Sequence, residues 1–133
     1  MPKLMKAMAL AAPLFLGLYG AAHADPDADD GEKVFARCKA CHAVGEGAKH
    51  KVGPELNDLF GRVAGTVEGF KFSPAMHEAG EKGLVWDEET LHAYLAAPRS
   101  VVPGTKMAFA GLKKPDDIED VIAYLKTFSE NAQ

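Results

Sequence analysis

Cysteine is scarce in this chain of 133 residues: Cys38 and Cys41 are the only two. A structural zinc site would want a second ligand pair at similar spacing, and none exists. A redox pair of the Cys-x-x-Cys kind would want a βαβ context. No run alternates convincingly enough for a strand, so that context is missing as well. Basic charge is also in short supply, with 15 Lys and Arg against 19 Asp and Glu. That balance argues against nucleic acid as a partner. No apolar run reaches the ~20 residues that a spanning helix prefers. Repeats and low-complexity segments are absent from residue 25 onward.

What is present begins with a leader. Lys3 and Lys6 precede an apolar run over residues 7–22, broken by Pro13, Gly17 and Gly20, and Ala22-His23-Ala24 gives a small-x-small cleavage pattern. This reads as a secretory signal peptide over residues 1–24, cleaved after Ala24, with the periplasm as destination. An uncleaved membrane anchor is the alternative. Residues 25–133 then form one small domain. Such a domain buries a limited core, which a large apolar cofactor would extend. The leader removes two lysines and no acid, so the remainder is more acidic than the whole chain's formal −4.

Three helices are expected. The first covers residues 31–40, with Asp29 or Asp30 as cap and Val34, Phe35 and Cys38 on one face. The second covers 88–97, capped by Asp87, with Leu91, Tyr94 and Leu95 on one face and Pro98 as its stop. The third covers 115–129. There Pro115, Asp116 and Asp117 suit the first turn, and Ile118, Val121, Ile122, Leu125 and Phe128 recur at helical spacing. Residues 43–86 are rich in glycine and have little periodicity. So long an irregular stretch is unusual in a small domain, and it makes sense as loops wrapped around a cofactor.

Residues Cys38-Lys39-Ala40-Cys41-His42 spell Cys-x-x-Cys-His, the attachment pattern of a c-type haem. Two thiols on one helical turn can each form a thioether to a haem vinyl group. The adjacent imidazole then lies under the iron as an axial ligand. Export agrees with this, because bacteria attach c-type haem outside the cytoplasmic membrane. The candidates for a second ligand are Met76, Met107, His50, His77 and His92. Met107 stands out, because it sits on a loop between two helices, stiffened by Pro103. A methionine is more often core filler, but the loop context raises Met107 above that role. Met76, beside Ser73-Pro74, is second. His50 and His77 read as surface or loop-bridging residues and His92 as solvated.

Several motifs run in order along the chain: Cys38-x-x-Cys41-His42, His50-Lys51-Val52-Gly53-Pro54, Leu59-Phe60-Gly61-Arg62, Trp86-Asp87-Glu88-Glu89-Thr90-Leu91, Tyr94-Leu95, Pro103-Gly104-Thr105-Lys106-Met107 and Ile122-Ala123-Tyr124-Leu125. On these the chain resembles the class I cytochromes c, especially the bacterial cytochrome c2 and mitochondrial cytochrome c group, over about residues 31–129. The resemblance implies an all-α fold, three main helices with long loops around one haem c held by Cys38 and Cys41. It implies His42 as proximal and Met107 as distal ligand. Pro54 is implied to accept the proximal imidazole N–H through its carbonyl, a bond that orients the ring. It places the Tyr94 hydroxyl on the methionine sulfur, and Arg62, Trp86 and Thr105 near the propionates. Gly31 and Phe35 are implied to pack on Val121 and Tyr124. Two departures stand out. Phe72 replaces a tyrosine common in relatives, and Met76 falls where many carry asparagine.

The implied function is one-electron transfer. Iron with both axial sites filled has no position for substrate, and a thioether in a poorly hydrated site favours the ferrous form. The expected protein is a monomeric soluble shuttle between a quinol-oxidising cytochrome complex and a terminal oxidase or photosynthetic reaction centre. A peroxidase-like haem enzyme with a weak distal ligand is one alternative. An electron-entry domain docked permanently to one enzyme is another. Arg37, Lys39, Lys49, Lys51, Arg99, Lys106, Lys113 and Lys114 cluster near the attachment segment, the methionine loop or the loop after it. Acids gather at residues 25–32, 78–89 and 116–120. A basic edge on an acidic body would steer docking to acidic partners.

Overall fold

A computed structural model describes residues 24–132, with single positions 12, 17 and 20 before them. The expected leader lies almost wholly outside the described residues. Five helices form the domain: α1 (Ala28–Phe35), α2 (Pro74–Glu81), α3 (Glu88–Ala96), α4 (Pro98–Val101) and α5 (Pro115–Lys126). Among the described residues there is no strand, only an isolated antiparallel bridge between Val63 and Val85. No helix among them is long and apolar enough to cross a membrane.

The terminal helices make the main packing contact. Gly31 sits where α1 crosses α5 so closely that a Cβ there would lie 2.0 Å from the Asp120 carbonyl oxygen. The contact therefore needs glycine. Phe35, 1% exposed, belongs to the same buried core as Val121 and Leu125. Its ring meets that of Tyr124 at 5.4 Å. Burial of that ring makes Phe35→Ala a change of about 3–5 kcal/mol. The expected packing of Gly31 and Phe35 on α5 is thus present.

The helix starts follow local chemistry, with one correction. The cap of α1 is Asp27, whose Oδ1 accepts the N–H groups of Asp29 and Asp30 at 2.8 and 3.0 Å. The expected caps Asp29 and Asp30 lie instead in the first turn, where their charge suits the helix dipole. α1 ends at Phe35, and residues 36–41 continue as tight turns rather than regular helix. α3 is capped by Asp87 as expected, with a reciprocal box in which the Thr90 hydroxyl accepts from the Asp87 N–H.

Two helices go beyond the three expected. Pro98 stops α3 and also begins α4, since a proline lacks only an N–H that a first turn leaves unpaired. α2 lies inside the stretch read as irregular. Buried Ser73 caps it by accepting the Met76 N–H at 3.1 Å, and Pro74 follows. Gly80 lets α2 settle on the chain at Ala64, where a Cβ would stand 1.9 Å from the carbonyl oxygen. Three backbone bonds then tie that segment to residues 84–86: Ala64 N–H to Leu84 O, Trp86 N–H to Arg62 O, and Gly61 N–H to Trp86 O. They hold Trp86, 7% exposed, against the core.

Candidate functional site

The first half of the site is the turn after α1. Cys41 and His42 both donate their N–H to the Cys38 carbonyl, at 3.0 and 2.8 Å. Both thiols are therefore carried on one turn; neither is in a disulfide and each is half-buried. Burial pushes the Cys38 thiol above its ordinary range. That keeps it a neutral thiol rather than a reactive thiolate.

Residues 50–56 cross this turn as a strap. The His42 Nδ1–H donates to the Pro54 carbonyl at 2.6 Å. Gly53 donates to Cys41 O at 2.8 Å, and Leu56 to Ala43 O at 3.0 Å. The Lys51 ammonium donates to the Lys39 carbonyl. With Nδ1 engaged, the Nε2 lone pair of His42 is left free to bind a metal. Burial lowers the His42 pKa, the Pro54 bond opposes that, and the Lys51 charge adds to the lowering. The imidazole is thereby neutral at physiological pH. Gly53 is the residue the motif reading left without a role. A Cβ there would stand 2.4 Å from His42 Cε1, so only glycine lets the strap lie flat on the ring.

The second half surrounds Met107, half-buried on the loop after α4. Its N–H donates to Thr105 Oγ1 at 3.3 Å, that hydroxyl lies 3.5 Å from the Tyr94 oxygen, and the Tyr94 O–H donates to the Met107 sulfur at 3.8 Å. The residues close a ring of weak contacts around the thioether. The Tyr94 ring in turn packs on Trp86 at 4.9 Å. Cys38 and Met107 border the same apolar cluster, which includes Trp86, Tyr94 and Phe60.

Arg62 is largely buried, and burial lowers its pKa against the pull of Glu55 and Asp58. Its guanidinium reaches only long partners: the carbonyls of Asn57 and Glu55 at 3.3 and 3.5 Å, and Glu55 Oε1 at 3.9 Å. A buried cation with donors so loosely held suits a further carboxylate such as a propionate. A recess of about 620 Å³ borders Arg62 together with Lys49, His50 and Glu55. None of Cys38, Cys41, His42 or Met107 lines it, so it touches the site only at Arg62. Two thiols on one turn, an oriented imidazole under a glycine, a held thioether and a buried guanidinium together fit a covalent haem.

The other ligand candidates are placed differently. Both nitrogens of His50 are engaged: Nε2–H donates to Glu68 O at 2.8 Å, and Nδ1 accepts the Glu55 N–H at 3.0 Å. It bridges two loops. His77 is exposed beside Glu81 at 3.4 Å, and His92 is half-buried on α3. Met76 lies on α2 against the apolar cluster, and among the described residues no hydroxyl holds its sulfur as Tyr94 holds that of Met107. Phe72 meets Phe70 edge-on at 4.9 Å, a packing role.

Known proteins give matching comparisons. The family model described as Cytochrome c matches residues 28–129. A cytochrome c2 of Afifella marina is 64% identical over 98 residues, which is 74% of this chain and 79% of that protein. A cytochrome c-550 of Ancylobacter novellus is 56% identical over 99 residues, covering 74% of this chain and 92% of its own length. The solved structure of cytochrome c2 from Rhodospirillum centenum matches with a TM-score of 0.74 at 43% identity, covering 77% of this chain and 98% of that one.

Proposed function

The chain belongs to the cytochrome c family and carries one covalent haem c on Cys38 and Cys41, and on that premise we propose that it is a periplasmic one-electron carrier whose iron is held by His42 and Met107. The observation that carries this reading is the way both ligands are tied. Pro54 fixes the imidazole at 2.6 Å, and Tyr94 and Thr105 hold the thioether. The haem, when bound, supplies a couple between ferric and ferrous iron. The protein's part would be to supply His42 and Met107 as ligands to that iron, to exclude water, and to present the edge near Cys38 and Cys41 to partners. Tyr94 would close the methionine side, and Arg62, Trp86 and Thr105 would lie toward the propionates, Thr105 also reaching the Met107 backbone.

An imidazole fixed by Pro54 and a thioether placed by Thr105 and Tyr94 would together leave no position for substrate, which favours a carrier over a peroxidase-like enzyme. Cyanide and carbon monoxide should bind slowly and weakly near neutral pH, followed by absorbance. Rapid binding at micromolar ligand would point to the enzyme instead.

The basic residues divide in a way that suits docking. Among the described residues, Lys33, Lys82 and Lys126 pair with Asp30, Glu78 and Glu88. Arg37, Lys39, Lys49, Arg99, Lys106, Lys113 and Lys114, around the attachment turn and the methionine loop, form no ion pair there. Val52, 79% exposed, is an apolar contact among them. The partners we propose are an acidic quinol-oxidising complex as donor and a terminal oxidase or reaction centre as acceptor. Arg99→Glu should slow second-order electron transfer at low salt by roughly threefold to tenfold, within the range that electrostatic steering covers. Reversing Asp117 on α5 should do much less. Both effects should fade at 0.15 M salt, where the Debye length is ~8 Å. Equal slowing by the two variants, or rates insensitive to salt, would mean that the unpaired cations are only solvated.

Cleavage after Ala24 completes the proposal. Intact-mass analysis of protein from a haem-competent bacterial host should give an N-terminus at Asp25 with one haem attached. Recovery of intact Met1 in membranes would favour the anchored alternative.

A further inference from the structure

Two cations of the basic edge bond to the protein through their side chains in the described residues. Lys113 reaches only the Ala110 carbonyl three residues away, at 3.3 Å, whereas Lys51 reaches across twelve residues. Its acceptor is the Lys39 carbonyl, inside the turn that carries both cysteines. We propose that Lys51 is a positioning residue for the haem-attachment turn, closing its C-terminal end through the Lys39 carbonyl and fixing a positive charge beside the proximal histidine. This rests on the reading of His42 as an iron ligand.

The argument starts from the turn itself. The last carbonyls of a helical segment have no partner within it. Here two of them are met by the strap. Gly53 N–H takes the Cys41 carbonyl, and the Lys51 ammonium takes that of Lys39. The strap is bent for this: the Lys51 N–H donates to Gly53 O at 2.9 Å, which turns Val52 outward and the lysine stem back over the turn. A cation is also the favoured partner for the negative end of a helical segment. The clasp therefore holds the backbone between Cys38 and Cys41, and the same strap supplies Pro54 to His42. The ammonium is held on the turn that carries His42, and the Gly53 backbone two residues along the same strap lies against the imidazole ring. A fixed positive charge there disfavours ferric iron relative to ferrous.

Lys51→Met, which keeps the stem and removes charge and donor, tests the proposal against Lys49→Met, a neighbouring exposed lysine without a protein partner. Lys51→Arg restores both charge and donor. In the purified haem protein, Lys51→Met should raise the unfolding constant in guanidinium by about threefold to tenfold, as loss of an exposed hydrogen bond does. It should also shift the ratio of ferrous to ferric haem toward ferric by roughly twofold at fixed ambient potential, or about 18 mV at ~59 mV per tenfold. Lys49→Met should do neither, and Lys51→Arg should recover most of both. If Lys51→Met and Lys49→Met match in stability and potential, the clasp is overturned. A wild-type spectrum without low-spin haem would instead overturn the ligand reading and the potential effect with it.

Discussion

Changing both Cys38 and Cys41 to alanine is expected to give a protein that releases its haem to acid–acetone and has lost most of its helical circular dichroism. The size of the effect separates two causes. Cys38 touches the apolar cluster and Cys41 is half-buried. Trimming two thiols to methyl groups would by itself cost on the order of 1 kcal/mol each. A domain of this size has roughly 5–15 kcal/mol to lose, so packing alone leaves it folded. Losing the covalent haem is different, because the cofactor completes the core. On the proposed reading, the side chains of Trp86, Tyr94 and Met107, the strap over His42 and the Arg62 guanidinium would all lose the group they are placed to hold. Single variants should fall between, each retaining one thioether. Haem that resists extraction in the double variant, or a double variant with wild-type ellipticity, would sink this account.

Much of this was readable from residue order, for reasons that differ by element. The attachment turn is a contiguous pattern, so its chemistry needs no tertiary information. α3 and α5 announce themselves through a cap, a stop and an apolar stripe at helical spacing. α1 starts three residues before its expected position and ends five before its expected end. Asp27, Asp29 and Asp30 are equally good caps by type, and only the fold selects Asp27, whose own N–H is held by Asp120 of α5. α2 was missed because glycines on either side of it hide the periodicity. Ser73-Pro74 is nonetheless a cap followed by a first-turn proline, and that signal could have found it. α4 is four residues long, too short for any period to show. The rings that close the site are a different matter. Pro54 on His42, Gly53 beneath it, and Lys51 on Lys39 join residues about twelve apart through a bent strap. No periodicity encodes that approach. The resemblance to the cytochromes c supplied Pro54 and Tyr94. The roles of Gly53 and Lys51 emerge only in the folded structure.

Met107→His should leave the iron six-coordinate and lower its potential by a few tenths of a volt, within the ~0.8 V that axial ligands span. An imidazole donates to ferric iron better than a thioether does. The surroundings sharpen the expectation. The Tyr94 hydroxyl points its proton at the Met107 sulfur, withdrawing density from a ligand already weak. Substitution removes that contact along with the sulfur, so both changes act in the same direction. Loss of the weak far-red sulfur-to-iron band reports ligation, and the potential reports its consequence. Tyr94→Phe provides the intermediate case. The band should remain, and the potential should fall by much less, because only the hydrogen bond at 3.8 Å is lost. Met76 offers the contrast, since it borders the same cluster without a hydroxyl to hold it. Met76→Leu should leave both band and potential near wild type. If Met76→Leu abolishes the band and Met107→His leaves it, the distal ligand comes from α2, and the ring of Thr105, Tyr94 and Met107 is only packing.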